Sequence, residues 1–187
     1  MSRIATAGDI AEIVRVTNLA YRVEDFFVRS DRTNEAEIRE RMRRPGAAFL
    51  VIDLPGGGRG DGNHASPSGS ANVPSSDQVD RGGGSIAGSV FVQVKDDRGF
   101  FAMLSVDPAL QKGGFGRRLI TAVEDHCRAA GCRFLDIDVV NLRRELPAFY
   151  GRFGFAPYAT AEFHDPWKLT RPAHLILMTK PLLDIWA

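Results

Sequence analysis

The sequence predicts one α/β domain of mixed α+β type. Segments with helical apolar spacing are interleaved with short runs rich in Val, Ile and Phe, and a Gly-rich turn couples one such run directly to a helix. A length of 187 residues suits one domain with a real core and leaves no room for a second of full size. A single domain over 1–187 is therefore expected, with a flexible Gly/Ser-rich insertion at about 54–85.

Asp9 stands as an N-cap before Ile10, Ile13, Val14 and Thr17, which predicts a first helix over about 9–22. Asn34 and Glu37 form a capping-box-like start for a second helix, stopped by Pro45 and Gly46 after the basic run Arg39 to Arg44. That run reads as a solvated helix face rather than a nucleic-acid patch. Ala48 to Ile52 and Ile86 to Val94 read as strands. The residues between them are dominated by Gly, Ser, Asp and Pro and offer almost nothing to bury against the entropy of ordering.

A turn at Lys95 to Gly99 leads to a third strand, Phe100 to Val106, closed by Asp107 and Pro108. Phe115, Leu119, Ile120, Val123, Cys127 and Ala130 then form one apolar helical stripe that Gly131 terminates. Phe134 to Val140 is a buried-looking strand from which Asp136 and Asp138 alternate outward. A short helix ending near Phe153 and strands at about 155–159 and 174–178 complete the chain.

Charge and composition exclude several classes. Lys plus Arg number 24 against 23 Asp plus Glu, so no global field gathers nucleic acid or anionic lipid. No apolar run reaches the roughly 20 residues needed to span a bilayer, and Met1 to Gly8 lacks the apolar segment of a secretory signal, so a cytoplasmic location is expected. Cys127 and Cys132 have neither a zinc spacing nor a disulfide framework and read as reduced packing residues.

The chemistry concentrates in residues 104–120. Between strand and helix lie Gln111, Lys112, Gly113, Gly114, Phe115 and Gly116, whose glycines let the backbone approach a ligand and turn its N–H groups inward. The helix N-terminus adds about half a positive charge at that point, favouring phosphate oxygens. Arg117 and Arg118 follow. No Lys-Ser or Lys-Thr follows the glycines as a Walker loop requires, and Leu119 stands three residues beyond Gly116 where a dinucleotide fingerprint requires glycine.

The remaining pattern, Q-x-x-G-x-G after a strand ending V-D-P, resembles the acetyl-CoA pyrophosphate loop of the GNAT N-acetyltransferases. Downstream, LPAFYGRFGF at 146–155 resembles that superfamily's other signature, a short helix ending in an aromatic pair before Gly-Phe enters the next strand. The resemblance implies a central, mostly antiparallel twisted sheet, splayed at the coenzyme site and flanked by helices. It implies that Leu104, Ser105 and Val106 line the splayed strand and that Gln111 to Arg117 cradle the pyrophosphate. Tyr150 falls on the position of the tyrosine that protonates the departing thiolate. The family's N-x-x-A-x-x-[FY]-Y pattern has Arg143 and Leu146 in place of its Asn and Ala. Asn141 lies two residues early as a coenzyme contact, and Arg143 either reaches a pantetheine carbonyl or stays in solvent.

The implied reaction moves the acetyl group of acetyl-CoA directly to a primary amine, on a small molecule or a peptide, without a metal. A phenol of pKa about 10 can protonate a thiolate whose conjugate acid lies near 8.5. Cys127, on an apolar stripe, and Cys132, beyond its stop, offer no nucleophile for a covalent route. The base that deprotonates the amine is sought among Glu24, Glu162 and His164, with Glu24 preferred for its place after the first helix; His174, opening an apolar strand, reads as a core residue. Glu24, Asp25, Asp31 and Glu162 lean towards a cationic acceptor. The competing expectation is a non-catalytic acyl-CoA-binding sensor with the same loop. Apolar Leu182, Leu183, Ile185 and Trp186 suit a homodimer.

Because loop-closure entropy changes only slowly with length, replacing residues 56–84 by a few Gly and Ser should leave unfolding cooperative and coenzyme binding intact. Loss of a single cooperative transition in urea would show that the segment carries structure the domain needs.

Overall fold

The computed structural model describes residues 1–54 and 84–182. Most of the expected insertion, and Leu183, Ile185 and Trp186, lie outside the described residues. The chain runs β1 (Ser2–Ile4), α1 (Ile10–Tyr21), α2 (Glu35–Met42), β2 (Ala47–Asp53), β3 (Ile86–Lys95), β4 (Arg98–Val106), α3 (Phe115–Ala129), β5 (Phe134–Val140), α4 (Glu145–Gly151), β6 (Ala156–Glu162) and β7 (His174–Pro181). The strands form one sheet in the order β1-β2-β3-β4-β5-β7-β6. Every neighbouring pair is antiparallel except β4 and β5, which run parallel.

The sheet is covered on both faces, and the strand side chains divide between two cores. Phe49, Val51, Phe91 and Met103 pack with Ile10, Ile13, Val16 and Ile38 from α1 and α2. Leu50, Ile52, Val90, Val92 and Phe101 pack with Leu119, Ile120, Val123 and Cys127 from α3. Burial on both faces explains why β2 reads as a continuous apolar run rather than an alternating one. Tyr150 of α4 joins the α3 side. Leu182, expected at a dimer surface, is 4% exposed and belongs to the chain's own core.

Two features of β4 shape the middle of the sheet. Its register against β3 shifts between the pairs Ser89–Ser105 and Phe91–Ala102, so Met103 and Leu104 together oppose Val90 in a bulge. Met103 adopts φ +55 there, and the bulge turns it onto the α1 face although Phe101 points to the α3 face. The β4–β5 ladder comprises only Arg98–Phe134, Gly99–Leu135 and Phe100–Asp136. Beyond them the strands diverge towards their C-terminal ends.

Several sequence expectations need revision. β1 was not foreseen; three residues on a sheet edge carry no periodicity. Asp9 does not cap α1. Its carboxylate instead accepts from the Thr6 N–H at 2.7 Å and from Arg3 Nη1 and Nη2, both at 2.8 Å, while Arg3 also holds Asp53 of β2. Asn34 does cap α2, accepting from the Glu37 N–H at 3.0 Å, but the Glu37 carboxylate goes to the Thr33 hydroxyl at 3.1 Å rather than closing a box. Asp138 turns into a cleft rather than into open solvent.

The Arg3 contact, with help from Thr6, lowers the Asp9 carboxyl to about 2 although burial opposes ionisation. Its folded pKa lies below the unfolded value, so its stabilisation is full above about pH 4 and is lost as pH falls through about 2. Asp9→Asn should therefore lower unfolding free energy by roughly 2 kcal/mol at pH 7. The gap from the parent should shrink between pH 4 and pH 2, as read from urea denaturation across that range; a constant gap would remove the ion pair as its source.

Candidate functional site

Where β4 and β5 part, a cleft of about 390 Å³ opens. Phe101, Ala102, Met103 and Leu104 line one side, Ile137, Asp138, Val139 and Val140 the other, and Tyr150 reaches in from α4. Of the three β4 residues expected to line the splayed strand, Leu104 faces this cleft, while Ser105 and Val106 are not part of its lining. The Ser105 hydroxyl is buried against α1 and donates to the Met103 carbonyl at 2.9 Å, so the bulge occupies it locally.

α3 begins just past the end of β4. Its N-cap is Gly114, at φ +79, and no side chain caps the helix. The first helical bond is from Arg118 N–H to the Gly114 carbonyl. The N–H groups of Gly114, Phe115, Gly116 and Arg117 consequently have no carbonyl within the helix to bond. A Cβ built on Gly114 or Gly116 would meet nothing within 4 Å, whereas one on Gly113 would press the Leu110 carbonyl and the Phe115 ring. Gln111 and Lys112 are exposed, and Lys112 also takes a positive φ of 70. The turn is therefore an open concavity of unpaired N–H groups, shaped for an anion. Arg117 flanks it from above the Phe153 ring, and the Phe115 side chain itself packs against the α3 core.

Tyr150 is held by Phe101, Phe149 and Phe155, with ring centroids 5.0 to 6.0 Å away. Burial, reinforced by neighbouring Tyr21 and Glu24 and opposed by Arg143, raises its pKa well above the ordinary phenol value. It stays protonated at any working pH. Glu24 lies on the short turn after α1, where its carbonyl accepts from both the Phe27 and Val28 N–H groups at 3.0 Å. Its side chain is 8% exposed and accepts from Arg143 Nη1 at 3.3 Å. Burial raises the Glu24 pKa, and the charges of Arg32 and Arg143 counter it.

The structure thus brings Tyr150 and Glu24 into one cleft. Arg143 lies beside them, its guanidinium engaged by Glu24 and, at 2.6 Å, by Glu145 rather than free in solvent. Asn141 accepts from the His174 N–H at 2.9 Å on its side-chain oxygen and donates its own N–H to that residue's carbonyl at 3.0 Å, so it fastens the end of the β5–β7 ladder. His164 lines the cleft at 3.1 Å from Asp138, whose pKa burial raises. Glu162 lies on exposed β6, outside the cleft lining. Cys127 and Cys132 are buried, and burial pushes the Cys127 thiol up to about 12, leaving no thiolate at neutral pH. Tyr21, Arg32, Arg41 and Asp138 also line the cleft; Tyr21 belongs to the segment that the resemblance sets beside the acceptor, Arg41 reads in the sequence only as part of a solvated basic run, and Arg32 carries no sequence signal.

Residues 70–155 match the family described as the Acetyltransferase (GNAT) family. The α3 turn and Tyr150 both lie within that matched segment. The chain's fold is shared by the ribosomal-protein-S18-alanine N-acetyltransferase of Escherichia coli, at TM-score 0.67 and 16% identity over 98% of this chain and 96% of that one. Ard1 of Thermoplasma volcanium superposes at TM-score 0.69 with 15% identity over 98% of both chains. YncA of Salmonella typhimurium, solved with acetyl-CoA, does so at 0.65 with 17% identity over 100% and 96%. A sequence search among curated proteins found no match. Among the described residues no helix is long and apolar enough to cross a membrane.

If the α3 turn holds the coenzyme's phosphates, acetyl-CoA at a hundredfold excess over Kd should add about 2.7 kcal/mol to the folding free energy, seen as a rise in Tm. Gly114→Glu puts a carboxylate into the open side of the turn, and at φ +79 it also strains the backbone. The variant should lose the acetyl-CoA-dependent rise. A folded variant that keeps the full rise would displace the coenzyme from this turn.

Proposed function

We propose that the protein transfers the acetyl group of acetyl-CoA directly to a primary amine, both substrates being bound together. The observation that carries this reading is the divergence of β4 from β5, with Tyr150 inside the gap and the uncapped start of α3 just beyond the end of β4. The N–H groups of Gly114 to Arg117 hold the phosphates, with Gln111 to Gly113 completing the turn. The edge of β4 around Leu104 to Val106 holds the pantetheine arm by its unpaired backbone groups. The fit rests on the open space at Gly114 and Gly116, which a side chain would otherwise fill.

The thioester supplies an activated acetyl group, and the protein supplies position and proton movement. Glu24 takes a proton from the incoming ammonium, leaving a neutral amine whose nitrogen bonds the acetyl carbon as the carbon–sulfur bond breaks. Tyr150 gives its proton to the departing sulfur, and the second amine proton, lost as the amide forms, restores Tyr150 through solvent. Burial makes Glu24 a stronger base than an ordinary carboxylate, and it makes Tyr150 a weaker acid whose proton moves only as charge develops on the sulfur beside it. Direct transfer is favoured over a covalent route by the buried, protonated cysteines.

The test is thiol release from acetyl-CoA with a panel of amines. Tyr150→Phe should cut turnover by about a hundredfold while leaving coenzyme affinity unchanged. In the parent, kcat/KM should rise with pH as Glu24 deprotonates, at a midpoint above the ordinary carboxylate range, and Glu24→Gln should remove that limb. Full turnover in Tyr150→Phe would pass the proton to solvent, and an unchanged pH limb in Glu24→Gln would transfer the base role to the His164–Asp138 pair.

A further inference from the structure

The charged groups that line the cleft are unevenly paired. Each carboxylate there has a partner: Glu24 has Arg143 at 3.3 Å, Glu37 has the Thr33 hydroxyl at 3.1 Å, and Glu40 has Arg44 at 2.6 Å. Asp138 has His164 at 3.1 Å and Asp165 has Lys168 at 3.1 Å. Arg32 and Arg41 line the same cleft and have no carboxylate within salt-bridge reach among the described residues.

Their guanidinium planes are positioned all the same. Arg32 lies 4.8 Å over the Tyr21 ring, and Arg41 lies 5.4 Å over the ring of Phe91, a residue that is 1% exposed. Two stacked guanidiniums that line one cleft and hold no carboxylate among the described residues suit a bound carboxylate. Burial and the charges of Arg44 and Arg32 lower the Arg41 pKa, and the carboxylates of Glu37 and Glu40 act against them. Tyr21, which carries Arg32 on its ring, also bears electrostatically on Tyr150, so the cationic pair and the reacting end border the same residue.

Resting on the acetyl-transfer reading above, we infer that the acceptor is an amine bearing its own carboxylate, seated on Arg32 and Arg41 with its amino group towards Glu24 and Tyr150. The substrate class is a free amino acid rather than a polyamine. This reverses the cationic lean of the sequence, because the acids that suggested it divide: Glu24 is tied to Arg143, and Asp25 and Asp31 line an adjoining pocket rather than this cleft.

The experiment compares free amino acids with their own carboxamides and with the corresponding amines lacking the carboxylate, in thiol release and in calorimetric titration of the protein loaded with CoA. Acids should be favoured at least tenfold in both readouts. Arg32→Gln and Arg41→Gln should each weaken acid binding and raise its KM by about ten- to a hundredfold, the range of a charge-assisted hydrogen bond. They should cost the amides at least tenfold less than the acids and leave the acetyl-CoA thermal shift intact, while Arg32→Lys and Arg41→Lys restore part of the loss. Equal handling of acids and amides by the parent, or equal losses for both in the variants, would overturn the inference. No thiol release with any amine, alongside selective binding of acids lost in the Gln variants, would sink the transfer reading and leave the carboxylate site standing.

Discussion

The parallel ladder between β4 and β5 ends at the Phe100–Asp136 pair, and the rest of the site depends on that early end. A parallel pair held only at one end has two backbone edges facing a gap, and such groups cost free energy unless water or a ligand bonds them. The gap is kept open from both faces. On one side the bulge at Met103 sends consecutive side chains Ala102 and Met103 towards α1. On the other, Tyr150 lies against Phe101 and Phe155 on the α3 side. Closing the ladder would require undoing the bulge and expelling an aromatic cluster.

The same geometry organises the electrostatics. The chain has a net charge of only +1, so any anion must be drawn locally. At the outer end this is done by backbone: four N–H groups at the start of α3 with no side-chain cap. At the inner end it is done by side chains, with Arg143 bonded to Glu24 and with Arg32 and Arg41 holding no carboxylate within salt-bridge reach among the described residues. Glu24 is kept near neutrality of environment rather than stripped of partners, so its pKa rises without the cost of an isolated buried charge.

Legibility in the sequence follows from what each feature rests on. α3 and β5 were readable because burial imposes a period: Leu119, Ile120, Val123 and Cys127 recur at helical spacing and are all at 0% exposure. The anion turn was readable because its backbone needs glycine at Gly114. β1 was not, being three residues, and the far end of β6 was not, since a strand exposed along nearly its whole length carries no apolar alternation. Asp9 looked like a helix cap because a cap and an Arg3 ligand place the same residue type at the same spot. The cleft's cationic pair was invisible for a different reason: Arg32 and Arg41 matter through the carboxylates they do not have, which only the folded arrangement decides.

A structure with a non-hydrolysable acetyl-CoA analogue tests the central claim most directly, by locating the phosphates relative to the α3 N-terminus and the sulfur relative to Tyr150. The account predicts phosphate oxygens within hydrogen-bonding distance of the Gly114 to Arg117 N–H groups and the sulfur within reach of the Tyr150 hydroxyl, between the diverging β4 and β5. Coenzyme bound elsewhere, or a ladder closed beyond Phe100–Asp136 in the complex, would contradict it.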